Sequence, residues 1–253
     1  MSAVFPNGIK DFGLDKLDGD TLLAGDTNDL RAEVAALESY LLGCGGWVPV
    51  SSSWTYVSAS SFSLAGDQSA VYSRGLRLCW TQTLVKYGVV TGSAYSGATG
   101  LTTVTLAVNN DYVFADAAVI AASVSWQAHP MGWPGWFNYT PVFGGFSAAP
   151  ASPLARYNLV GNLCTFILQC PNNGTSNANT FTVTAPLALA AGGSNAYAGG
   201  ILAVDNGVYL NNVTAVLPAG SNSISLRTAG FNQLGWTPSG GKRANFGLVY
   251  EYS

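Results

Sequence analysis

Acid–base or covalent chemistry in this chain of 253 residues must be drawn from thirteen carboxylates, one histidine and four cysteines. Beyond Gly43 the carboxylates are Asp67, Asp111, Asp116, Asp205 and Glu251. Glycoside hydrolysis needs two of them flanking the bond. Asp111 and Asp116 are near each other in sequence, but Asp111 ends the turn-forming run Asn109-Asn110-Asp111. His129, between Ala128 and Pro130, could serve a Ser-His-Asp triad, yet no G-x-S-x-G elbow is present. Gly240-Gly241-Lys242-Arg243 lacks the first glycine and the following Ser or Thr of a phosphate loop and reads as a surface loop. Asp11, Asp15, Asp18 and Asp20 crowd the N-terminus without the calcium-loop glycine, which suits a solvated acidic arm. Cys44, Cys79, Cys164 and Cys170 contain no CxxC pair, and a metal site would want more than one histidine. No catalytic residue, metal ligand or cofactor is assigned.

What remains is binding by aromatic and amide side chains. These suit carbohydrate, through ring stacking and hydrogen bonds, and they equally build dry subunit interfaces. They are densest at residues 126–146, where Trp126, Trp133, Trp136, Phe137, Tyr139, Phe143 and Phe146 fall within 21 positions. Pro130, Pro134 and Pro141 exclude a regular helix there. Full exposure would leave a large contiguous apolar patch. The loop is therefore expected to pack in a seam, joining the middle β unit to the C-terminal unit or to a neighbouring chain. Trp126, Trp133, Trp136, Phe137 and Tyr139 are its candidate packing or binding residues; a recognition loop is the alternative.

The elements that must position this loop begin with one helix. In residues 26–43, DTNDLRAEVAALESYLLG, the apolar positions Leu30, Val34, Leu37 and Leu41 step by four, three and four, a heptad seam on one face. Asp26 or Thr27 can cap its start and Gly43 can end it. A rod of roughly 22 Å is marginal alone. Either it lies on its own domain or it registers copies of the chain as a short parallel coiled coil. The second reading follows from composition. Residues 1–42 hold 11 of the 23 charged side chains, three positive and eight negative, whereas residues 43–253 hold seven positive and five negative. Only 9% of the chain is charged against 48% hydrophobic, which favours a surface partly hidden against copies or inside a particle.

The organisation read from this is an extended arm at 1–25, a trimerising helix and glycine hinge at 26–45, a middle β domain at 46–146 and a C-terminal β domain at 147–253. WTYVSASSFSL, LRLCWTQTLVKYGVV and LTTVTLAV alternate as strands, with Leu76, Leu78 and Trp80 on one face, and Gly92–Gly100 reads as turn or loop. RYNLVGNLCTFILQC, NTFTVTAPLAL, GILAVDNGVYLN, VTAVLP, SISLRT and FGLVYEY continue the pattern, and Asn206-Gly207 is a two-residue hairpin signal. The fold class is mainly β: a short N-terminal coiled-coil helix, then two antiparallel, sandwich- or jelly-roll-like units. Cys164 and Cys170 share strand parity and lie roughly 20 Å apart if extended, so free thiols are expected. Basic residues are too few for a nucleic-acid groove, and no apolar run is long enough to span a membrane. The opening MSAVFPNGIKDFG predicts no secretory signal.

Together WVPVSSSWTYVSASSFSLAGD, LCWTQTLVKYGVV, NDYVFADAAV and PGWFNYTPVFGGF resemble a domain of virion proteins of tailed bacteriophages, of the tail-fibre, head-fibre, receptor-binding or minor structural type. The opening FPNGIKDFGLDKLDGDTLLAGDTNDLRAEVAALESYL resembles their N-termini, with Asn28 and Glu38 at the matching positions of the helix. The resemblance covers roughly residues 1–146. It implies a homotrimer without enzyme activity, located in the virion after assembly in host cytoplasm. Residues 1–25 would dock on other capsid or tail proteins, and host-surface carbohydrate is a possible ligand. Competing readings are a capsid decoration protein, a free carbohydrate-binding lectin and a depolymerase.

Overall fold

The computed structural model describes residues 45–198, 200–227 and 236–252, with Ala32 and Val34 besides. The arm at 1–25, Leu30, Leu37, Leu41 and Cys44 lie outside the described residues; Ala32 and Val34 are helical and exposed. The strands are all antiparallel, joined by turns and irregular loops and by one 3-10 turn at Asn110–Tyr112.

The first sheet contains β1 (Val48–Pro49), β2 (Thr55–Ser58), β3 (Ser61–Ala65), β4 (Arg77–Thr81), β5 (Val85–Ser96), β6 (Leu101–Val108) and β7 (Ile120–Ser125), in the order β1-β7-β4-β5-β6-β3-β2. Alternation sets its inner face: Leu78 and Trp80 of β4, Val90 of β5, and Val104 and Leu106 of β6 are buried together. Trp54, Tyr72 and Phe114, all outside the strands, close over them. The strand expected at 76–90 is a hairpin, turning after Thr81. Gly92–Ser96 proves to be strand rather than loop, and a register shift between Val90 and Gly92 lets β5 pair with β6 through Ser96. Such a bulge puts two residues opposite one and rotates the side chains that follow. It leaves Val89, Val90 and Thr91 all buried.

Two more sheets follow. One holds β8 (Phe137–Asn138), β10 (Phe146–Ala148), β11 (Leu154–Val160), β12 (Leu163–Gln169), β13 (Gly174–Ser176), β16 (Leu202–Asp205), β17 (Val208–Leu210) and β20 (Gly240–Glu251). The other holds β9 (Phe143–Gly144), β14 (Thr182–Thr184), β15 (Ala196–Ala198), β18 (Thr214–Leu217) and β19 (Ser223–Arg227), in the order β15-β18-β19-β14-β9. Strand β20 is the spine: its start pairs with β13 and β16, its end with β12. Cys164, Phe166 and Leu168 from β12 and Ala244, Phe246, Leu248 and Tyr250 from β20 meet Val183, Ala215, Leu217, Ile224 and Leu226 of the third sheet in one sandwich-like core. At the β16–β17 turn both central residues have positive φ, Asn206 at 49° and Gly207 at 80°, the geometry that suits right-twisted strands.

The boundary read at 146/147 falls earlier in hydrogen bonding. Phe137–Asn138 pairs with β11, Phe143–Gly144 with β14 and Phe146–Ala148 with β13. The second half of the aromatic loop thus belongs to the C-terminal sheets, and only 126–136 links the units.

Candidate functional site

The linking loop is seated between the two units by its rings. Trp133 is half-buried, edge-on to Tyr87 at 5.9 Å, 6.1 Å from Trp47 and 5.4 Å from Phe137. The Arg77 guanidinium lies 5.2 Å from its ring centre, a cation–π contact made in a partly desolvated setting. Burial pulls the Arg77 pKa down. Phe137 is 2% exposed and stacks on Tyr157 at 5.6 Å. Tyr139 meets Tyr157 and Phe166 edge-on, and its hydroxyl pairs with that of Thr184 at 2.6 Å. Val89 and Ala107, on the back of the first sheet, share this core with Phe137 and Tyr157.

Polar contacts stitch the same seam. The Tyr157 hydroxyl donates to the Val108 carbonyl at 2.7 Å. The Asn138 N–H donates to the Asn109 side-chain oxygen, and the Asn110 amide donates to the Thr140 hydroxyl at 2.6 Å. At a second point Arg74 donates to the Tyr252 carbonyl at 3.0 Å and lies 5.2 Å from its ring centre. Burial, and secondarily Cys164, drives the Tyr157 phenol far above its ordinary range. It therefore stays a donor at any ordinary pH.

Two of the five singled-out aromatics lie elsewhere. Trp126 is 63% exposed and Trp136 37%, the latter with the Arg156 guanidinium 5.9 Å from its ring centre. Met131 on the same loop is 70% exposed. Gly45, read as the end of a glycine hinge, and Trp47, at the start of the middle β domain, are pressed on this loop. The Met131 N–H donates to the Gly45 carbonyl at 2.8 Å, and the Trp47 indole N–H to the Met131 carbonyl at 2.8 Å. Gly45 and Gly46 have φ of 56° and 87°; a Cβ on Gly45 would come within 2.6 Å of the Met131 Cβ, and one on Gly46 would collide with the Gln127 amide. Only glycine fits here.

The carboxylates have separate partners. Asp67 accepts from the Ser69 hydroxyl and N–H, which hold it below the usual carboxylate range. Asp111 accepts from Asn109, and Glu251 from Asn162. His129 is exposed. Among the described residues no group of three or more His, Cys, Asp or Glu is placed to hold a metal ion. Cys79, Cys164 and Cys170 are free thiols, the last two buried on the expected common face.

One buried polar cluster escaped the reading of the sequence. Lys242, assigned above to a surface loop, sits in β20 with no exposed surface, in register with Asp205 of β16. Its ammonium donates to the Ala178 carbonyl at 2.5 Å and lies 5.4 Å from the Trp236 ring centre. Asp205 accepts from the Thr237 N–H at 2.7 Å and hydroxyl at 2.6 Å. Burial lowers the Lys242 pKa, and the Asp205 charge opposes that. The signal was present, since Lys242 shares parity with Ala244, Phe246, Leu248 and Tyr250. The cluster ties two strands and two loops together; its groups are occupied by structural contacts. Separately, a cleft of about 400 Å3 is lined by Gly200, Ile201, Leu210, Asn211, Asn212 and Val213.

Comparison of the chain with known protein families, with curated proteins and with solved structures finds no match.

Proposed function

We propose that the chain is a non-enzymatic structural protein of a tailed-bacteriophage particle. It is a projecting fibre- or spike-type appendage, assembled as a homotrimer and attached by its N-terminal residues. The resemblance of residues 1–146 supports this reading. So does the composition of the segment before the body, with its Leu30, Val34, Leu37 and Leu41 seam.

The observation that carries it is the anchored start of the body. Gly45 and Trp47 are hydrogen-bonded to Met131 on the loop that joins the β units, so the chain at residues 45–47 is held against that loop. An appendage needs that property, because force along its attachment passes through the body. Aromatic packing between the units, from Trp47 through Trp133 and Phe137 to Tyr157, supplies the stiffness. The C-terminal unit is then the distal part. Exposed amides at Asn211 and Asn212, beside Tyr209, offer donors and a ring face to host-surface carbohydrate.

Antibody labelling of purified particles tests the proposal: label on tails or projecting from heads is expected, and unlabelled particles would sink it. Deleting residues 1–25 should release the protein from particles, and unchanged incorporation would remove the docking role of the arm.

A further inference from the structure

Ala155, Tyr157 and Leu159 take the inner face of β11, which leaves Arg156 and Asn158 on its outer face. Asn138 of β8 is directly opposite Arg156, and Thr165 of β12 is directly opposite Asn158. Phe137 turns inward between Trp136 and Asn138, and both of these are exposed. The Arg156 guanidinium lies 5.9 Å from the Trp136 ring centre. Asn158 donates to the Gly135 carbonyl at 2.5 Å, which holds the backbone beside Trp136 in place. Strand β8 ends the sheet, so the group stands at its edge.

The arginine sets this place apart. Arg74 donates to the Tyr252 carbonyl and Arg243 to the Pro171 carbonyl. The Arg156 guanidinium makes no hydrogen bond or ion pair to a described residue, and its Nε is buried without a partner. A guanidinium held against a ring, with its donors unspent, suits a planar oxyanion that it can grip with two N–H groups. The exposed indole offers an apolar face for stacking, and the amides and the Thr165 hydroxyl offer donors and acceptors to hydroxyl groups. One ligand class uses all three: a sugar that carries an acidic group. A neutral sugar leaves the charge unused, and a free anion leaves the ring and the amides unused.

We propose that Trp136, Asn138, Arg156 and Asn158 bind an acidic saccharide, with its carboxylate or phosphate on Arg156 and its ring against Trp136. The inference rests on the host-carbohydrate part of the proposed function and adds a charge requirement to it, at residues other than those of the Asn211–Asn212 cleft. It also divides the loop by role: Trp133 and Phe137 join the β units, and Trp136 faces a ligand.

The test titrates the full, heavy-nitrogen-labelled chain with methyl glucuronoside, glucose 6-phosphate and methyl glucoside, and with acetate and inorganic phosphate. Magnetic resonance follows the Trp136 indole and the Asn138 and Asn158 side-chain amides. One of the two acidic sugars should shift these signals at a concentration at least tenfold below that of methyl glucoside, and which one does so identifies the oxyanion. Arg156→Gln should abolish that preference, and Trp136→Leu, at an exposed position, should weaken binding at least tenfold with the melting temperature unchanged. Equal responses to the three sugars, or none, would overturn the proposal. Acetate or phosphate acting as strongly as the sugars would reduce the site to an anion site and overturn it too. Sugar binding lost in Tyr209→Ala but kept in Trp136→Leu would overturn it and leave the carbohydrate reading standing at the cleft. No sugar binding at either place would remove that reading as well, with the particle location still decided by antibody labelling.

Discussion

The two β units bury their cores by different means. The first has a single seven-stranded sheet, and its inner face is closed by side chains that irregular segments bring in. A loop has no regular row of side chains to offer, so it must reach with large ones. Trp54 stacks on Phe62 at 4.3 Å, with Tyr72 and Phe114 within 5.8 Å and 5.5 Å of that Phe62 ring. The second unit faces one sheet with another. Two pleated surfaces about 10 Å apart interdigitate with ordinary aliphatic residues. Its core accordingly adds Ala203, Ala215, Leu217, Ile224 and Leu248 to rings such as Phe166, which meets Tyr139 and Phe246 edge-on. The first unit concentrates its stability in a few aromatics; the second spreads it over many strands. Nor are the units independent, because Val89 and Ala107 from the back of the first sheet sit in the second core.

The sharpest way to break this contrast is Phe62→Ala. Removing a fully buried ring at the centre of the stack should cost about 3–5 kcal/mol. The equally deep Leu248→Ala should cost less, about 2–4 kcal/mol, because its neighbours are many and can partly collapse. Chemical denaturation of both variants measures it; equal losses would contradict the contrast.

Alkali should act in the opposite sense, on the second unit first. Burial pushes the Cys164 thiol up to about 12 and those of Cys170 and Cys79 up to about 11, from the ordinary 9.0. Folded-state values above the unfolded ones mean stability is whole below pH 9 and is lost as pH climbs through these values. For Cys164 the difference amounts to about 4 kcal/mol once the thiol is forced to ionise. Tyr157 and Tyr250, also in the second unit, are raised for the same reason and add to the loss above pH 10. Lys242 opposes it, since its lowered value means the cost of its charge disappears as pH rises toward 10.5. Melting curves followed by near-ultraviolet circular dichroism from about pH 8 to 12, repeated with Cys164→Ala, check the assignment. An alkaline limit unmoved by that variant would remove it.

Phe137→Ala addresses the seam and should cost about 3 kcal/mol. Its more telling readout is cooperativity: one calorimetric transition should divide into two as the units uncouple. Lys242→Met comes next. It leaves the Ala178 carbonyl without its donor and removes the positive charge near Asp205, for a loss of about 1–3 kcal/mol. The smallest effect belongs to Trp136→Ala, beside Phe137 in sequence but on the surface, with less than about 1 kcal/mol expected. Similar melting temperatures for the Phe137 and Trp136 variants would show that the loop packs differently.

The pair Trp136–Phe137 also shows where the sequence stops being informative. From composition and prolines the whole loop had to be packed, and every ring in it was an equal candidate. The choice was made by β8: pairing of Phe137 with Tyr157 turns Phe137 inward and Trp136 outward. That pairing joins residues twenty apart, and nothing in either segment alone specifies it. Lys242 is the same case. Its parity with Ala244 and Phe246 was legible, but a glycine-rich start with two basic residues matched a surface loop until β13 and β16 were seen on both sides of it.

By itself the sequence determined what depends on neighbours along the chain. Strand β6 runs over the alternating LTTVTLAV, and the Asn206-Gly207 turn takes positive φ at both positions. Side-chain alternation and backbone sterics act within a few residues. Cys164 and Cys170 face one way for that reason too. The tertiary structure decided what depends on partners far along the chain: the bulge that lets Gly92–Ser96 stay in β5, the sheet to which 137–148 belongs, and which rings are buried. Strand registry is fixed by the summed fit of two distant segments and the surface they cover, and no local pattern carries that sum.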